Sequence, residues 1–219
     1  AAEQGNAKAQ YVLGVSYAYG EGVALDKAEA VKWWRKAAEQ GDADAQNALG
    51  VMYAKGDGVT KDNAEAVRWY RKAAEQGDAI AQSNLGNMYR RGEGVEEDDA
   101  EAAKWYRKAA EQGHASAQNN LGGMYAKGDG VRKDNAEAVK WLRKAAEQGL
   151  AEAQYNLGVM YKYGKGVAQN YVLAHMWMNL ASAQGYEGAN EGIEGLSQWM
   201  TKEQIAEAQK MATEWQAKH

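Results

Sequence analysis

The chain of 219 residues has no cysteine, no proline and no phenylalanine. Without cysteine there is no disulfide and no thiolate metal site, and oxidising and reducing compartments both stay open. No stretch approaches the roughly 18 consecutive apolar residues of a membrane-spanning helix, so membrane insertion is not expected. No charged-then-apolar leader opens the sequence. Instead Ala1 to Gly5 read as the tail of a helix whose beginning is missing, which predicts a mature or trimmed fragment. Histidine is scarce: His114, His175 and His219 show no H-x-x-x-H or H-E-x-x-H spacing, so no zinc site is expected. His175, followed by Met176, Trp177 and Met178, reads as part of a packed helix rather than a metal box.

Signatures of cofactor chemistry and catalysis are missing too. Turns such as Gly56-Asp57-Gly58 lack the third glycine and the preceding strand of a nucleotide fingerprint. No D-x-D-x-D-G calcium loop and no S-x-x-K serine nucleophile occurs. The many carboxylates fit helix caps and solvated faces, and no acid–base pair stands out. These absences predict a non-enzymatic protein without a cofactor. The net charge of -4 gives no overall attraction to nucleic acid or anionic membrane.

What is present is repetition. Ala-Glu-Gln-Gly ends at Gly5, Gly41, Gly77, Gly113 and Gly149, and the variant Ser182-Ala183-Gln184-Gly185 continues the series, every step being 36 residues. A fixed period of roughly 20 to 50 residues signals a stacked array in which each unit buries its apolar face on its neighbours. The units are 6–41, 42–77, 78–113, 114–149 and 150–185, within one repeat domain over 1–219.

The second unit shows the pattern. Asp42 reads as an N-cap, and helix A runs from about Ala43 to Ala54 with Ala45, Gln46, Leu49, Gly50 and Tyr53 on one face. In Gly56-Asp57-Gly58-Val59 the first glycine ends the helix and the second turns the chain back. Helix B opens at Asp62 with Glu65 three residues on, a capping-box pair repeated by Asp26 and Glu29, Asp98 and Glu101, and Asp134 and Glu137. Ala66, Trp69, Tyr70, Ala73 and Ala74 form its apolar face, and Arg71, Lys72 and Glu75 point to water. Glycine inside helix A costs about 1 kcal/mol relative to alanine, yet Gly14, Gly50, Gly86, Gly122 and Gly158 recur. The expected reason is a close helix approach, with the recurring aromatic of helix B (Trp33, Trp69, Trp105, Trp141, Trp177) filling the adjoining space.

Residues 186–219 depart from the pattern. Ile193, Glu194 and Ser197 replace the leucine, glycine and tyrosine. Thr201 and Gln204 predict a capping box. The last helix carries Ile205, Ala208, Ala212 and Trp215 along one stripe and charge opposite, as a terminal cap requires.

A-x-A-Q-x-x-L-G-x-x-Y, a G-x-G-V turn and A-x-x-W-x-x-x-A-A-x-x-G on a 36-residue step resemble the Sel1-like repeat family. Here they stand as Ala81, Gln82, Leu85, Gly86, Tyr89, then Gly92, Gly94, Val95, then Ala102, Trp105, Ala109, Ala110 and Gly113. The resemblance implies an all-α solenoid, a right-handed superhelix related to tetratricopeptide arrays. It also implies a bacterial adaptor that holds other proteins, often secreted or periplasmic. Family members commonly carry proline before helix B, where this chain has Ala24, Thr60, Glu96 and Arg132. Disulfide-rich relatives are linked to β-lactam binding, but their cysteines have no counterpart here.

Helix A positions that change from unit to unit mark the expected ligand surface, which in tetratricopeptide-like stacking lines a concave groove. They include Lys8, Tyr11, Asn47, Asn84, Asn87, Arg90, Arg91, Asn119, Asn120, Lys127, Tyr155 and Lys162. On these variable faces Lys8, Lys55, Arg90, Arg91, Lys127 and Lys162 outweigh Asp44 and Glu152, a net of +4 in a chain of -4. A basic, asparagine-rich groove favours an acidic protein or peptide, or a free C-terminal carboxylate. A plainer reading stands beside it: Arg90 and Arg91 complement a helix dipole, and Asn84, Asn120 and Asn156, at one repeat position, tie helices together. Two other functions stay open, a small-molecule or cell-wall-fragment binder or hydrolase using the groove, and a consensus-like array without a native partner. Dimerisation through the uncapped N-terminal end is a further expectation.

Overall fold

The computed structural model describes residues 1–218; the terminal His219 lies outside the described residues. Twelve helices and no strand occur among them. The helices are α1 (Ala7–Tyr19), α2 (Lys27–Glu39), α3 (Ala43–Lys55), α4 (Asn63–Glu75), α5 (Ala79–Arg91), α6 (Asp99–Glu111), α7 (Ala115–Lys127), α8 (Asn135–Glu147), α9 (Ala151–Tyr163), α10 (Tyr171–Ala183), α11 (Ala189–Ser197) and α12 (Lys202–Gln216). They fall into two compact units, Ala1–Ala109 and the remainder from Ala110. In each unit an A helix packs on the B helix that follows it, and that B helix packs on the next A helix, as in the series α1, α2, α3, α4 and the series α7, α8, α9, α10. The architecture is an all-α solenoid of helix–turn–helix repeats.

Local chemistry sets the helix ends. Asp42 Oδ1 accepts from the Ala45 N–H at 2.9 Å, and Asp62 Oδ1 from the Glu65 N–H at 3.0 Å. Gly56 ends α3 in the left-handed conformation (φ 76°) with its N–H on the Met52 carbonyl. The backbone N–H of Asp62 then returns to the Tyr53 carbonyl (2.9 Å), which closes the inter-helix loop. The expected reciprocal capping box of helix B is only half formed. Glu29, Glu65, Glu101 and Glu137 turn outward and pair with Lys32, Arg68, Lys104 and Lys140 one helical turn on, at 2.7 to 3.0 Å. The cation at the third position competes for the carboxylate. Thr201 and Gln204, where no such cation follows, do form the full box.

The helix A glycines meet a different partner from the one expected. A Cβ on Gly50 would lie 2.5 Å from the Tyr70 ring, and one on Gly86 would lie 2.8 Å from Tyr106. Gly14, Gly122 and Gly158 face Trp34, Leu142 and Met178 in the same way. The knob is therefore the residue after the recurring tryptophan. One residue is 100° of helix rotation, enough to swing the tryptophan off the A-helix contact. Trp69 and Trp105 are still buried, but carry Lys72 and Lys108 over their faces at 4.4 and 4.0 Å. Their indole N–H groups, with those of Trp33 and Trp141, are buried without an acceptor.

Arg71, expected to point to water, donates instead to the Tyr89 hydroxyl at 2.7 Å. Arg143 bonds Tyr161 at 2.6 Å, and Arg35 bonds Tyr53. Each bond ties a B helix to the A helix of the next repeat. The recurring glutamine does the same from the other side. Gln46, only 4% exposed, donates to the Ala38 carbonyl at the end of α2 and accepts from Gln76 at the end of α4 (3.0 and 2.7 Å). Gln154 repeats this between Ala146 and Gln184. The exposed glutamine of Ala-Glu-Gln-Gly thus satisfies the buried glutamine of its own repeat, whose amide nitrogen reaches back to the preceding one, so that a polar side chain is buried with both ends paired.

The C-terminal segment caps the second unit. Ala208 and Ala212 are buried, α12 packs on α10, and Trp215 meets Trp177 edge-on with ring centroids 6.1 Å apart. His175 lies beneath α11, 1% exposed. Asn179 Nδ2 donates to its Nδ1 (2.9 Å), and Ser197 Oγ stands 3.5 Å from its Nε2. Burial pushes its pKa below the ordinary value, opposed by a backbone hydrogen bond. Because the folded pKa is depressed, this contribution to stability is complete above the unfolded histidine pKa of about 6.5 and is lost as pH falls below it. Urea titrations between pH 7.5 and 5.5 are expected to show this loss. His175→Val, the residue found at Val67 and Val139, is expected to remove that share of it.

Candidate functional site

The surface of interest lies on the A helices, opposite the residues that face the B layer. In α5, Ala81, Gln82, Leu85, Gly86 and Met88 are buried. Asn84 and Asn87 are half-buried and Arg90 and Arg91 exposed. Offsets of three, six and seven residues place these four along one stripe of the helix. Asn84 Nδ2 donates to Asn47 Oδ1 on α3 at 3.2 Å. Asn87 accepts from the Tyr106 hydroxyl at 2.7 Å. In the Asn84–Asn47 pair this bond occupies one donor and one acceptor, Asn84 Nδ2 and Asn47 Oδ1. Arg90 has no ion pair among the described residues, and Arg91 has one at 3.9 Å to Glu93.

Toward the start of the same unit, Lys8 on α1 pairs with Asp44 on α3 at 2.5 Å and stands 4.9 Å over the Tyr11 ring. The hydrogen bond to Asp44 raises the Lys8 pKa, and burial raises that of Tyr11. The two therefore stay a cation and a neutral phenol. Since Asp44 offsets Lys8, and Glu93 stands 3.9 Å from Arg91, the positive charge of this unit's A face that lacks an ion pair among the described residues rests on Lys55 and Arg90.

In the second unit, Asn156 on α9 donates to Asn119 Oδ1 on α7 at 3.0 Å, and Asn119 is buried. Asn119 therefore serves as a helix tie, and Asn156 and Asn84 make equivalent bonds. Asn120 is half-buried and Lys127 exposed. Tyr155 stacks on Tyr186 with centroids 5.2 Å apart, and Lys162 lies 5.5 Å from the Tyr163 ring. Sequence reasoning did not single out one feature of the first unit, a hollow between α1 and α3 floored by Trp34 and Met52. Its signal was present, since Val15, Ala18, Ala48 and Val51 make the variable face apolar there.

No cluster of potential metal ligands occurs among the described residues. No helix among them is long and apolar enough to cross a membrane.

The sequence profile of the Sel1 repeat matches at 7–42, 43–78, 79–114, 115–150 and 151–186. The chain belongs to the Sel1 repeat family. Repeats of this family generally mediate protein–protein interaction and are generally non-enzymatic. Among solved structures, it is similar to the protective antigen c5321 of uropathogenic Escherichia coli (41% identity, TM-score 0.85, over 97% of this chain and 47% of the antigen). The chain thus spans about half the length of that relative. A Sel1 repeat protein from Oxalobacter formigenes is similar at 38% identity and TM-score 0.84, over 95% and 86% of the two chains. One from Klebsiella pneumoniae is similar at 26% and 0.54, over 90% and 95%. No protein of curated function matches the chain.

Proposed function

We propose that this Sel1 repeat protein is a scaffold that binds a protein or peptide partner along the outward face of its A helices. The favoured guest is an extended, acidic segment or a free C-terminal carboxylate. The observation that supports this most is the stripe on α5, where side-chain amides at Asn84 and Asn87 stand beside two guanidinium groups, one without an ion pair. Amides grip a peptide backbone by donating and accepting, and arginine holds a carboxylate through two parallel bonds. In the second unit Asn120, Lys127, Tyr155 and Lys162 offer an amide, two ammonium groups and a phenol, with no guanidinium fork.

Replacing Arg90 and Arg91 together with alanine is expected to weaken binding of acidic peptides about tenfold or more, at roughly 1.4 kcal/mol per tenfold. Both side chains are exposed, so the thermal midpoint should stay where it is. Fluorescence anisotropy with labelled Glu/Asp-rich and Lys-rich peptides reads this directly. Unchanged affinity for the acidic set, or equal affinity for both sets in the parent protein, contradicts the proposal.

A further inference from the structure

The hollow between α1 and α3, of about 430 Å³, lies wholly within the first unit. Its floor is Trp34 and Met52, both buried, and its walls include Tyr11, Tyr19, Ala48 and Val51. The single indole N–H at the floor is already used: Trp34 Nε1 donates to the Tyr11 carbonyl at 3.1 Å. A polar guest therefore gains nothing deep in the hollow, whereas an apolar side chain trades water for aromatic and aliphatic walls. Tyr19 stands 72% exposed at the rim, a large aromatic left uncovered beside an apolar hollow, which is a mark of interaction surfaces.

Charge at the rim selects the guest further. Lys27 and Asp57 neutralise one another at 3.0 Å. Lys55 makes no ion pair among the described residues and leaves the rim positive. Three aromatic rings around a hollow would otherwise suit a cation; this excess of positive charge disfavours one.

We propose that this hollow seats an apolar side chain of the bound peptide, with a neighbouring acidic residue of the same peptide on Lys55. The inference rests on the peptide-binding reading above and adds an anchor to it. The next pair of A helices is less apolar at these places: Asn47, Asn84 and Asn87 stand where α1 and α3 present Tyr11, Ala48 and Val51. One guest would thus be held by its side chain at the first helix pair and by its backbone at the second.

The test uses the full chain and two symmetric nonapeptides, so that either peptide direction is sampled. One is Glu-Glu-Gly-Asp-Leu-Asp-Gly-Glu-Glu, and the other has serine for leucine. The leucine peptide is expected to bind about tenfold tighter or more, the scale set by burying one leucine side chain. Only the leucine peptide should shift the Met52 methyl resonance. Ala48→Phe, which fills the hollow, should bring the two affinities together while binding still depends on Arg90 and Arg91. Should that variant fail to fold, the Met52 methyl shift in the parent protein decides alone. Equal affinities with an unmoved methyl overturn the anchor and leave the peptide reading standing. Binding of neither peptide overturns both. A Met52 shift with dodecanoate and with neither peptide assigns the hollow to fatty acyl carboxylates and overturns a peptide anchor.

Discussion

Tyr106→Ala is expected to destabilise the protein by about 4 kcal/mol, the usual cost of removing a fully buried aromatic side chain. The tyrosine is 0% exposed, fills the space left by Gly86 and donates its hydroxyl to Asn87. The informative variant is its partner. Gly86→Ala alone should cost roughly 1 kcal/mol, because overpacking against the ring, about 1–3 kcal/mol, outweighs the gain of about 1 kcal/mol in helix propensity. With Tyr106 already cut to alanine the clash is gone and only the propensity gain survives. The double variant should therefore be more stable than Tyr106→Ala by about 1 kcal/mol. Urea denaturation of the four proteins measures this. If Gly86→Ala is equally harmful in both backgrounds, the glycine is not there to admit the ring.

Gly94→Ala is the second large effect, about 3 kcal/mol. Gly94 has φ +71°, where a Cβ costs about 1–2 kcal/mol. A Cβ there would also overlap the backbone carbonyl of Asn63, at the start of the preceding B helix. Backbone cannot swing aside as a side-chain tip can, so overpacking adds about 1–3 kcal/mol. Gly77→Ala is the control. Its φ is +98° with nothing within 4 Å of the added Cβ, so only the conformational cost of about 1–2 kcal/mol applies. Equal losses at the two positions would mean that the second glycine of the turn serves chain direction alone and not contact between repeats.

The two glycines also mark what could be read in the sequence. A helix period, an N-cap aspartate and a left-handed glycine are local, and each occurs once per step, so five copies make them plain. Contacts between steps are not local. The recurring Gln46 is visible as constant, but its partner in the preceding repeat, the Ala38 carbonyl, follows from how one repeat sits on the next. Constancy also misled. The tryptophan at the Trp69 position is the same in every repeat and so is the glycine's expected neighbour, while Tyr70, whose position holds tryptophan, tyrosine, leucine or methionine, is the actual one. A helical glycine opposite accepts any of these shapes, so the contact is kept while the residue drifts. Arg71 looked solvated because a single helix shows nothing of Tyr89 arriving from the following repeat. The candidate site divides along the same line. The exposure of Arg90 and Arg91 follows from the helical period alone. The Asn84–Asn47 and Asn156–Asn119 bonds needed the spacing of neighbouring A helices.

The central claim is a division of labour in the first unit: residues facing the B layer hold the helices, and the outward A face takes the guest. Two-dimensional amide NMR during titration with the acidic nonapeptide tests it in one spectrum. The side-chain amides of Asn47, Asn84 and Asn87 and the guanidinium signals of Arg90 and Arg91 should move. The buried indole N–H signals of Trp69 and Trp105, on the B layer, should stay in place. Movement of those indoles with the asparagine amides unchanged would put the guest on the other face and contradict the account.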